Sequence, residues 1–312
     1  MIGNPGRVLV TGATGFIGKY VMRALSDAGW AIDAMARVSS DQDAPGVRWV
    51  TGDLDQPASF ESLVVGCDSV VHLGAFIPPN FADSAFAEAC IRRNGIATLR
   101  LAEAAASAGV RRFVYVTSGN VFAPEETNPG ENGRLYPVAR ATYYLASKVL
   151  GEIYVEHVRA TRNLGALTLR ITSTYGHGMP ETTVVGRFMA LASRGACLEV
   201  RDGGVPTYDL LYVGDVARVI TAALEHGEAG VYNLGGGRAY RVAELAQAVS
   251  ATYPERDVRI ATAPLVGAPA TSFPALRIDK AQAAWGFIPT PLGQGLGAMR
   301  RAAESPETAR GK

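Results

Sequence analysis

Two side chains whose types and spacing suit proton transfer are Tyr144 and Lys148, in a segment whose pattern predicts a helix over residues 143–161. Residues four apart lie on the same face of a helix, so the phenol and the ammonium are expected to be neighbours. An ammonium close to a phenol favours the phenolate and lowers the pKa of the tyrosine. The pair therefore predicts an acid/base group that exchanges a proton with a carbonyl or an alcohol.

A hydroxyl for the same chemistry is predicted at Ser118, directly after a predicted strand over residues 112–117. Ligands of parallel sheets bind at the carboxyl ends of the strands, where this hydroxyl can hydrogen-bond to the substrate oxygen. A Tyr-x-x-x-Lys pattern alone is common on helices, and a serine at a strand end is often only a turn former. Together, the three residues predict a catalytic group.

A glycine-rich turn with the sequence TGATGFIG lies at residues 11–18, between a predicted strand (7–11) and a predicted helix (17–28). Glycines allow a tight turn and a close approach of the backbone to a pyrophosphate, while the first N–H groups of the helix attract negative charge. This context predicts a dinucleotide site. Its contacting residues are predicted to be Gly12, Thr14, Gly15, Phe16, Ile17 and Gly18.

The end of the second predicted strand, residues 31–37, bears on which dinucleotide binds. An NAD site usually has an acidic residue there for the ribose hydroxyls, whereas an arginine accommodates the 2′-phosphate of NADP. Here Asp33 lies well inside the strand and Arg37 ends it, with Ser39 and Ser40 following. Arg37 therefore favours NADP(H), and the alternative is a solvated arginine in an NAD(H) site.

The elements that must position these residues follow an alternating order. Continuous apolar runs alternate with helical patterns through the first half of the chain, which predicts a doubly wound parallel sheet, a Rossmann α/β fold. Residues 1–172 are predicted to form the NAD(P)-binding domain, completed by about residues 208–234. Residues 173–207 and 235–312 are predicted to form a smaller C-terminal substrate-binding lobe.

Two expectations concern individual helices. Residues 82–108 are predicted to contain a long Ala-rich helical stretch. Further on, a predicted strand at residues 210–213 leads into a predicted helix at residues 215–224, with Asp215 as its N-cap.

Composition excludes several classes of partner. The 312 residues include 30 Lys and Arg against 29 Asp and Glu, so a net charge of +1 predicts no binding to nucleic acid or to an anionic membrane. Cys67, Cys90 and Cys197 lie far apart and form no metal-binding or disulfide pattern. Neither a secretory leader nor an apolar span of about 18 residues is recognisable, so a cytoplasmic protein is expected.

Taken in order, these motifs make the chain resemble the extended short-chain dehydrogenase/reductases, in the NAD(P)-dependent sugar epimerase/dehydratase family. The resemblance runs nearly from end to end. Its motifs are residues 11–18, 52–54 (GDL), 72–75 (HLGA), Asn94, 116–122, Tyr144 with Lys148, 169–170, 175–176, 211–216, 232–235, 279–281 and 285–286.

The resemblance implies roles for these positions. It implies that Asp53 and Leu54 contact the adenine and that Ser118, Tyr144 and Lys148 are the catalytic residues. It implies a homodimer as well, for which residues 96–108 and 143–160 are candidate helices. The remaining cofactor-site positions that it implies are Leu73, Gly74, Ala75 and Asn94.

Three departures from the family pattern narrow the substrate. Dehydratases of this family have an Asp-Glu pair after the catalytic hydroxyl residue, where this chain has Gly119 and Asn120, so dehydration is not expected. Members that bind a nucleoside diphosphate typically have an arginine where this chain has Tyr208, and an asparagine where it has Ser173. Loss of these donors weakens the case for a nucleotide sugar. Possible substitutes are Arg187, Arg201 and Arg277.

The sequence therefore favours an NAD(P)-dependent oxidoreductase that transfers a hydride to or from a hydroxyl/ketone carbon of a sugar-like small molecule, with a tyrosine as acid/base. The alternative is an NAD-dependent (nucleotide-)sugar 4-epimerase. A protein of another class, which senses the cofactor without turnover, would generally lack the Tyr144–Lys148 pair. No metal is expected.

Overall fold

The computed structural model describes residues 5–38, 45–137, 141–226, 228–267 and 272–305. The strands in these ranges are β1 (Arg7–Thr11), β2 (Ala31–Ala36), β3 (Val47–Thr51), β4 (Ser69–His72), β5 (Arg112–Ser118), β6 (Ala166–Ile171), β7 (Ser173–Tyr175), β8 (Leu198–Val200), β9 (Thr207–Tyr212), β10 (Gly230–Leu234), β11 (Ala239–Arg241) and β12 (Ile260–Thr262). The helices are α1 (Phe16–Asp27), α2 (Phe60–Leu63), α3 (Ala87–Cys90), α4 (Ala97–Ser107), α5 (Thr142–Arg162), α6 (Val184–Ala192), α7 (Val213–Glu225), α8 (Val242–Thr252), α9 (Asp279–Trp285) and α10 (Leu292–Glu304).

Seven parallel strands form the central sheet, in the order β10-β6-β5-β4-β1-β2-β3. The predicted doubly wound α/β fold is thus confirmed. The chain runs outward from β1 in one direction and from β4 in the other, so the order reverses between these two strands. A crevice for a ligand is expected at the carboxyl ends of the strands on either side of such a reversal.

Both faces of the sheet are covered, which explains the unbroken apolar strands. Val8 and Val10 belong to a core on the side of α1 and α7, while Leu9 belongs to a second core with α2, α4 and α5. Successive residues of a strand point to opposite faces, so a strand buried on both sides must be apolar throughout. The sheet therefore holds β1, β4 and β5 rigidly, together with the residues that follow them.

The second half of the chain is built from smaller units. A three-stranded sheet has the order β11-β9-β7, and β8 pairs in parallel with β12. The helices α6, α8 and α10 pack around a third core that includes Phe188, Leu245 and Leu296. Between these units the chain returns to the central sheet, where β10 pairs with β6.

One local expectation is wrong. The helix expected at residues 215–224 is α7, which begins at Val213 with Tyr212 as N-cap; Asp215 does not cap it. The Asp215 carboxylate instead accepts the backbone N–H and the hydroxyl of Thr290, at 2.7 and 2.6 Å, and pairs with Arg218. The Asp215 side chain therefore binds Thr290, which is distant in sequence, instead of capping the helix as the local sequence predicted.

The long helical stretch expected within residues 82–108 is confirmed, but it is not α-helical throughout. A 3₁₀ turn (Ser84–Phe86) precedes α3, and a π-helical turn (Ile91–Ile96) separates α3 from α4. Asn94 lies in the π turn, whose extra residue places this side chain differently from a continuous α-helix. Among the described residues, no helix combines the length and the apolar run that a membrane crossing requires.

Candidate functional site

The glycine turn after β1 is packed too tightly for side chains at two of its glycines. Gly12 has a φ of +70°, and a Cβ there would lie 2.8 Å from the backbone nitrogen of Gly74. A Cβ at Gly18 would overlap the carbonyl oxygen of Gly12 and lie 2.7 Å from that of Ala13. Only glycine allows α1 to pack this closely against the end of β1.

The first turn of α1 offers free donors at this point. Its N-cap is Gly15, which has no side chain to satisfy the first N–H groups. The N–H groups of Phe16, Ile17 and Gly18 precede the first intrahelical carbonyl partner, so they stay available at the positive end of the helix dipole. Gly15 itself is exposed. Donors of this kind suit a pyrophosphate, which fits the predicted dinucleotide.

The residues after β4 lie directly beside this turn. The N–H of Leu73 donates to the carbonyl of Thr11 at 3.2 Å, and the N–H of Gly74 donates to the Thr11 hydroxyl at 3.0 Å. Ala75 follows and is half-buried. The structure therefore brings residues 73–75 and the glycine turn together at the reversal point of the sheet.

Arg37, Asp53 and Leu54 lie at the same edge, after the next strands outward. Arg37 is exposed and follows β2, whose residue Met35 pairs with Thr11. Within the described residues no side chain pairs with its guanidinium; the predicted helpers at positions 39 and 40 fall outside them. Asp53 follows β3 and accepts the N–H of Asp55 at 3.0 Å, while Leu54 packs on the second core.

Ser118, Tyr144 and Lys148 belong to β5 and α5. The Ser118 hydroxyl ends β5 and accepts the N–H of Asn120 at 3.1 Å. Lys148 is buried, and its Nζ donates to the carbonyl of Val116, two residues before Ser118, at 3.0 Å. Tyr144 lies one turn earlier on the same helix. The lysine thus anchors α5 against the strand end that presents the serine.

The electrostatics of this pair differ from the expectation. Burial lowers the pKa of Lys148 to about 7, against the opposing charge of Glu152, and burial raises the pKa of Tyr144 to about 12. The expectation that Lys148 lowers the pKa of Tyr144 is wrong for this arrangement. The ammonium is bound to the Val116 carbonyl rather than to the phenol, and both groups have lost solvation.

A buried histidine connects the glycine turn to the helical layer. His72 Nδ1 lies 2.6 Å from the hydroxyl of Thr11, and Nε2 lies 2.9 Å from that of Thr98. Its ring stacks on Tyr115 at 5.5 Å. Burial lowers the pKa of His72 to about 3, so the ring is neutral at working pH. Its position supports a packing role, with side-chain hydroxyls as its partners.

Asn94 uses its amide within the protein. Its Oδ1 accepts the N–H of Phe76 at 2.7 Å, and its Nδ2 donates to the Phe76 carbonyl at 2.9 Å and to the Ser147 hydroxyl at 3.0 Å. Ser147 in turn donates to the carbonyl of Tyr144 at 2.7 Å. Sequence reasoning missed Ser147 and Phe76; only the place of Ser147 between tyrosine and lysine could have signalled it.

The residues noted as departures from the family pattern have defined surroundings. Tyr208, where the resemblance led us to expect an arginine in a nucleoside-diphosphate site, packs its ring against Phe273 at 5.5 Å. Asp209 is buried and accepts the N–H groups of Gly236 and Leu276, at 2.6 and 3.0 Å. Ser173 is half-buried in β7. The three candidate substitutes for the arginine are all exposed: Arg187, Arg201 and Arg277.

Within the described residues, no three His, Cys, Asp or Glu side chains are grouped so that they could hold a metal ion.

Comparison with known proteins gives consistent matches. The sequence profile described as "NAD dependent epimerase/dehydratase family" matches residues 8–235. A dTDP-glucose 4,6-dehydratase from Streptomyces niveus is 28% identical over 263 residues, covering 78% of this chain and 76% of the relative. Vestitone reductase from Medicago sativa is 25% identical over 285 residues, covering 83% and 85%. The structure of MoeE5 in complex with UDP-glucose and NAD superposes with a TM-score of 0.82 at 26% identity, covering 96% of this chain and all of that one.

Proposed function

Because this chain belongs to the NAD dependent epimerase/dehydratase family, we propose that it is an NAD(P)-dependent reductase or dehydrogenase that interconverts a hydroxyl and a ketone on a small molecule. The observation that carries the proposal is the bond from Lys148 Nζ to the Val116 carbonyl. This bond joins α5, with Tyr144, to the end of β5, with Ser118. The three side chains thus share the sheet edge with the glycine turn.

Each residue has a specific task in this proposal. The bound nicotinamide supplies or accepts the hydride. Tyr144 Oη gives a proton to the substrate oxygen or takes one from it, and the Ser118 hydroxyl orients that oxygen. Lys148 provides a positive charge beside the cofactor ribose. Burial lowers the pKa of Lys148 to about 7, and the negative charge of Glu152 opposes this shift.

The remaining cofactor contacts are proposed from the positions of residues along the same edge of the sheet. The N–H groups at the start of α1 bind the pyrophosphate, while Asp53 and Leu54 contact the adenine and residues 73–75 line the channel. Asn94 acts on the site through the Phe76 backbone that it holds. Arg37 is proposed to bind the 2′-phosphate and so to favour NADP(H), since it is exposed at the end of β2 and beside the glycine turn.

Two further parts of the proposal concern organisation. Residues 1–172, completed by about residues 208–234, are proposed to form the cofactor domain, and residues 173–207 and 235–312 the substrate lobe. Pairing of β10 with β6 supports this division. Homodimerisation through α4 and α5 is proposed too, supported by the exposed Ile153 on α5.

Dehydration is disfavoured by the space around Gly119. A Cβ at this position would lie 2.8 Å from Leu276 Cδ1 and 3.1 Å from the carbonyl oxygen of Ile171. A carboxylate side chain such as the dehydratases have here would therefore require a rearrangement. Asn120, the next residue, has no acid or base to offer.

An NAD-dependent (nucleotide-)sugar 4-epimerase is the second candidate; the similarity to MoeE5 in complex with UDP-glucose and NAD favours a nucleotide sugar and NAD as its ligands. Calorimetric titration separates the candidates. UDP- and TDP-sugars are expected to bind the cofactor-loaded protein more weakly than micromolar, because Tyr208 and Ser173 replace the phosphate donors. Micromolar binding of either nucleotide would favour the epimerase.

The central test replaces Tyr144 by Phe, which removes only the hydroxyl. Turnover of ketones, followed by the absorbance of the reduced nicotinamide, is expected to fall by roughly 10²–10⁴-fold with folding and cofactor binding unchanged. The matched control is Tyr143→Phe, which removes a phenolic hydroxyl from the neighbouring position of the same helix. Undiminished turnover in a folded Tyr144→Phe protein would overturn the proposal.

A further inference from the structure

The segment from Phe76 to Phe86, between β4 and α3, leaves two apolar side chains exposed beside the catalytic tyrosine. Ile77 is 64% exposed and Phe81 is 41% exposed. The ring of Phe81 meets that of Tyr144 edge to face, with centroids 5.7 Å apart and planes at 71°. This is a favourable aromatic geometry. An exposed aromatic ring is therefore placed against the group that transfers the proton.

We propose that the substrate has its ketone or alcohol attached to a flat apolar group, such as an aromatic ring, and that Phe81 binds this group next to Tyr144. The inference rests on the proposed function, because it takes Tyr144 as the acid/base. Covering Phe81 and Ile77 with such a group removes apolar surface from water, which is the driving force expected for binding here.

Hydrogen bonds and ring contacts on both sides of Phe81 hold its segment in place. Phe76 is held by its two backbone hydrogen bonds to Asn94, and its ring lies 6.2 Å from Phe86 and under the guanidinium of Arg93. Nearer to Phe81, the N–H of Ala82 donates to the Asn80 side chain at 3.0 Å. These contacts order the turn that presents Phe81 to Tyr144.

Between Ile77 and Phe81 the segment offers few polar groups to a sugar or a phosphate; the exposed Asp83 and Ser84 follow later in the segment. Pro78 and Pro79 have no backbone N–H, and the carbonyl oxygen of the Asn80 side chain is already engaged by Ala82. A hydroxylated substrate needs donors and acceptors at fixed positions, because its polar groups lose water on binding. An apolar group makes no such demand.

Apolar contacts also lie on the side of Ser118. Leu276 packs against the backbone of Gly119, the residue after Ser118, and its N–H donates to Asp209. Asp209 is next to Tyr208, whose ring packs on Phe273 instead of presenting a cation. The backbone next to Ser118 thus borders an apolar side chain, Leu276.

The test uses two ketones, acetophenone as the flat apolar probe and dihydroxyacetone as the polar one, with the cofactor-loaded protein. Dissociation constants are measured by ligand-observed NMR, and KM by the nicotinamide absorbance. Wild-type protein is expected to bind acetophenone more tightly than dihydroxyacetone. Phe81→Ala is expected to weaken acetophenone binding about tenfold and to leave dihydroxyacetone binding unchanged.

Two variants serve as controls. Phe81→Tyr keeps the ring and is expected to retain acetophenone binding, whereas Ile288→Ala removes an apolar side chain that is 75% exposed outside the segment and is expected to change nothing. Equal affinity of the wild type for both ketones, or unchanged acetophenone affinity in Phe81→Ala, would overturn the inference. Tyr144→Phe keeps its ring and is expected to bind acetophenone without turning it over. Persistent turnover there would instead refute the proposed function.

Discussion

The glycine turn after β1 and the aromatic pair Tyr208–Phe273 are packed differently. In the turn, backbone atoms are in close contact, and Gly12 and Gly18 have no space for a Cβ. In the aromatic pair, two side chains are in contact, with ring centroids 5.5 Å apart. Backbone contacts this close leave no space for an added side chain, whereas a contact between side chains can change one residue at a time. We therefore expect substitutions to disturb the glycine turn more than the region of the aromatic pair.

The largest effect is expected when a methyl group is added to the turn. Gly18→Ala places a Cβ against the carbonyl oxygens of Gly12 and Ala13, which must move. We expect a loss of roughly 1–3 kcal/mol in the free energy of unfolding from overpacking. We also expect at least about a hundredfold weaker dinucleotide binding, because the N–H groups at the start of α1 shift. Denaturant titration and nicotinamide fluorescence measure the two effects.

Gly293→Ala is the matched control in the lobe. Gly293 lies in α10, where a Cβ would have no heavy atom within 4 Å. Alanine is the better helix former, so this variant is expected to gain up to about 1 kcal/mol of stability with cofactor binding unchanged. If both variants behaved alike, the contrast between the two regions would not hold.

A smaller effect is expected at Arg37, whose side chain is exposed at the end of β2. Arg37→Ala is expected to weaken NADPH binding by roughly ten- to a hundredfold, the equivalent of about 1.5–3 kcal/mol for a charge-assisted contact. NADH binding should hardly change, because NADH has no 2′-phosphate. Fluorescence titrations of both cofactors test this prediction. The salt concentration is kept fixed, because salt screens the contact between an exposed arginine and a phosphate. A wild-type preference for NADH would leave Arg37 without this role and favour the epimerase.

The smallest effect concerns two buried titratable groups, one in each region, with opposite signs. Burial lowers the pKa of His72 to about 3, so on acidification below about 6.5 only the unfolded chain takes up this proton, and stability falls. Burial raises the pKa of Asp209 to about 6, so as the pH rises from about 4 to 6 only the unfolded chain loses this proton, and stability also falls. Between about pH 4 and 6 the two contributions oppose each other.

Replacing either group is expected to leave the effect of the other on the pH dependence of stability unopposed. Relative to wild type, Asp209→Asn should make the free energy of unfolding rise more steeply with pH, by about 1.4 kcal/mol per pH unit between pH 4 and 6. His72→Gln should change the slope by the same amount in the other direction. Denaturant titrations at several pH values measure the slopes. Titration of the His72 ring near pH 6 by NMR would contradict the assignment directly.

Much of the site followed from local sequence. The glycine turn, the pair Tyr144 and Lys148, and Ser118 at a strand end each depend on spacings of a few residues, and the structure places all of them at one sheet edge. Local spacing did not predict the partner of Asp215, whose carboxylate accepts a hydrogen bond from Thr290. It did not predict the pKa of Tyr144 either, because that pKa depends on burial. In both cases a distant part of the chain decided the outcome.

By itself, the sequence determined the parallel sheet and the family to which the chain belongs, and it predicted the glycine turn as the cofactor site and Ser118, Tyr144 and Lys148 as the catalytic side chains. It could do so because strand and helix periodicity and the absence of a Cβ are local properties. Only the tertiary structure decided what surrounds those side chains. Phe81 reaches Tyr144, and Asn94 joins Phe76 to Ser147, across long stretches of chain. Such contacts arise when separate elements pack together, and no local pattern specifies which side chains then meet.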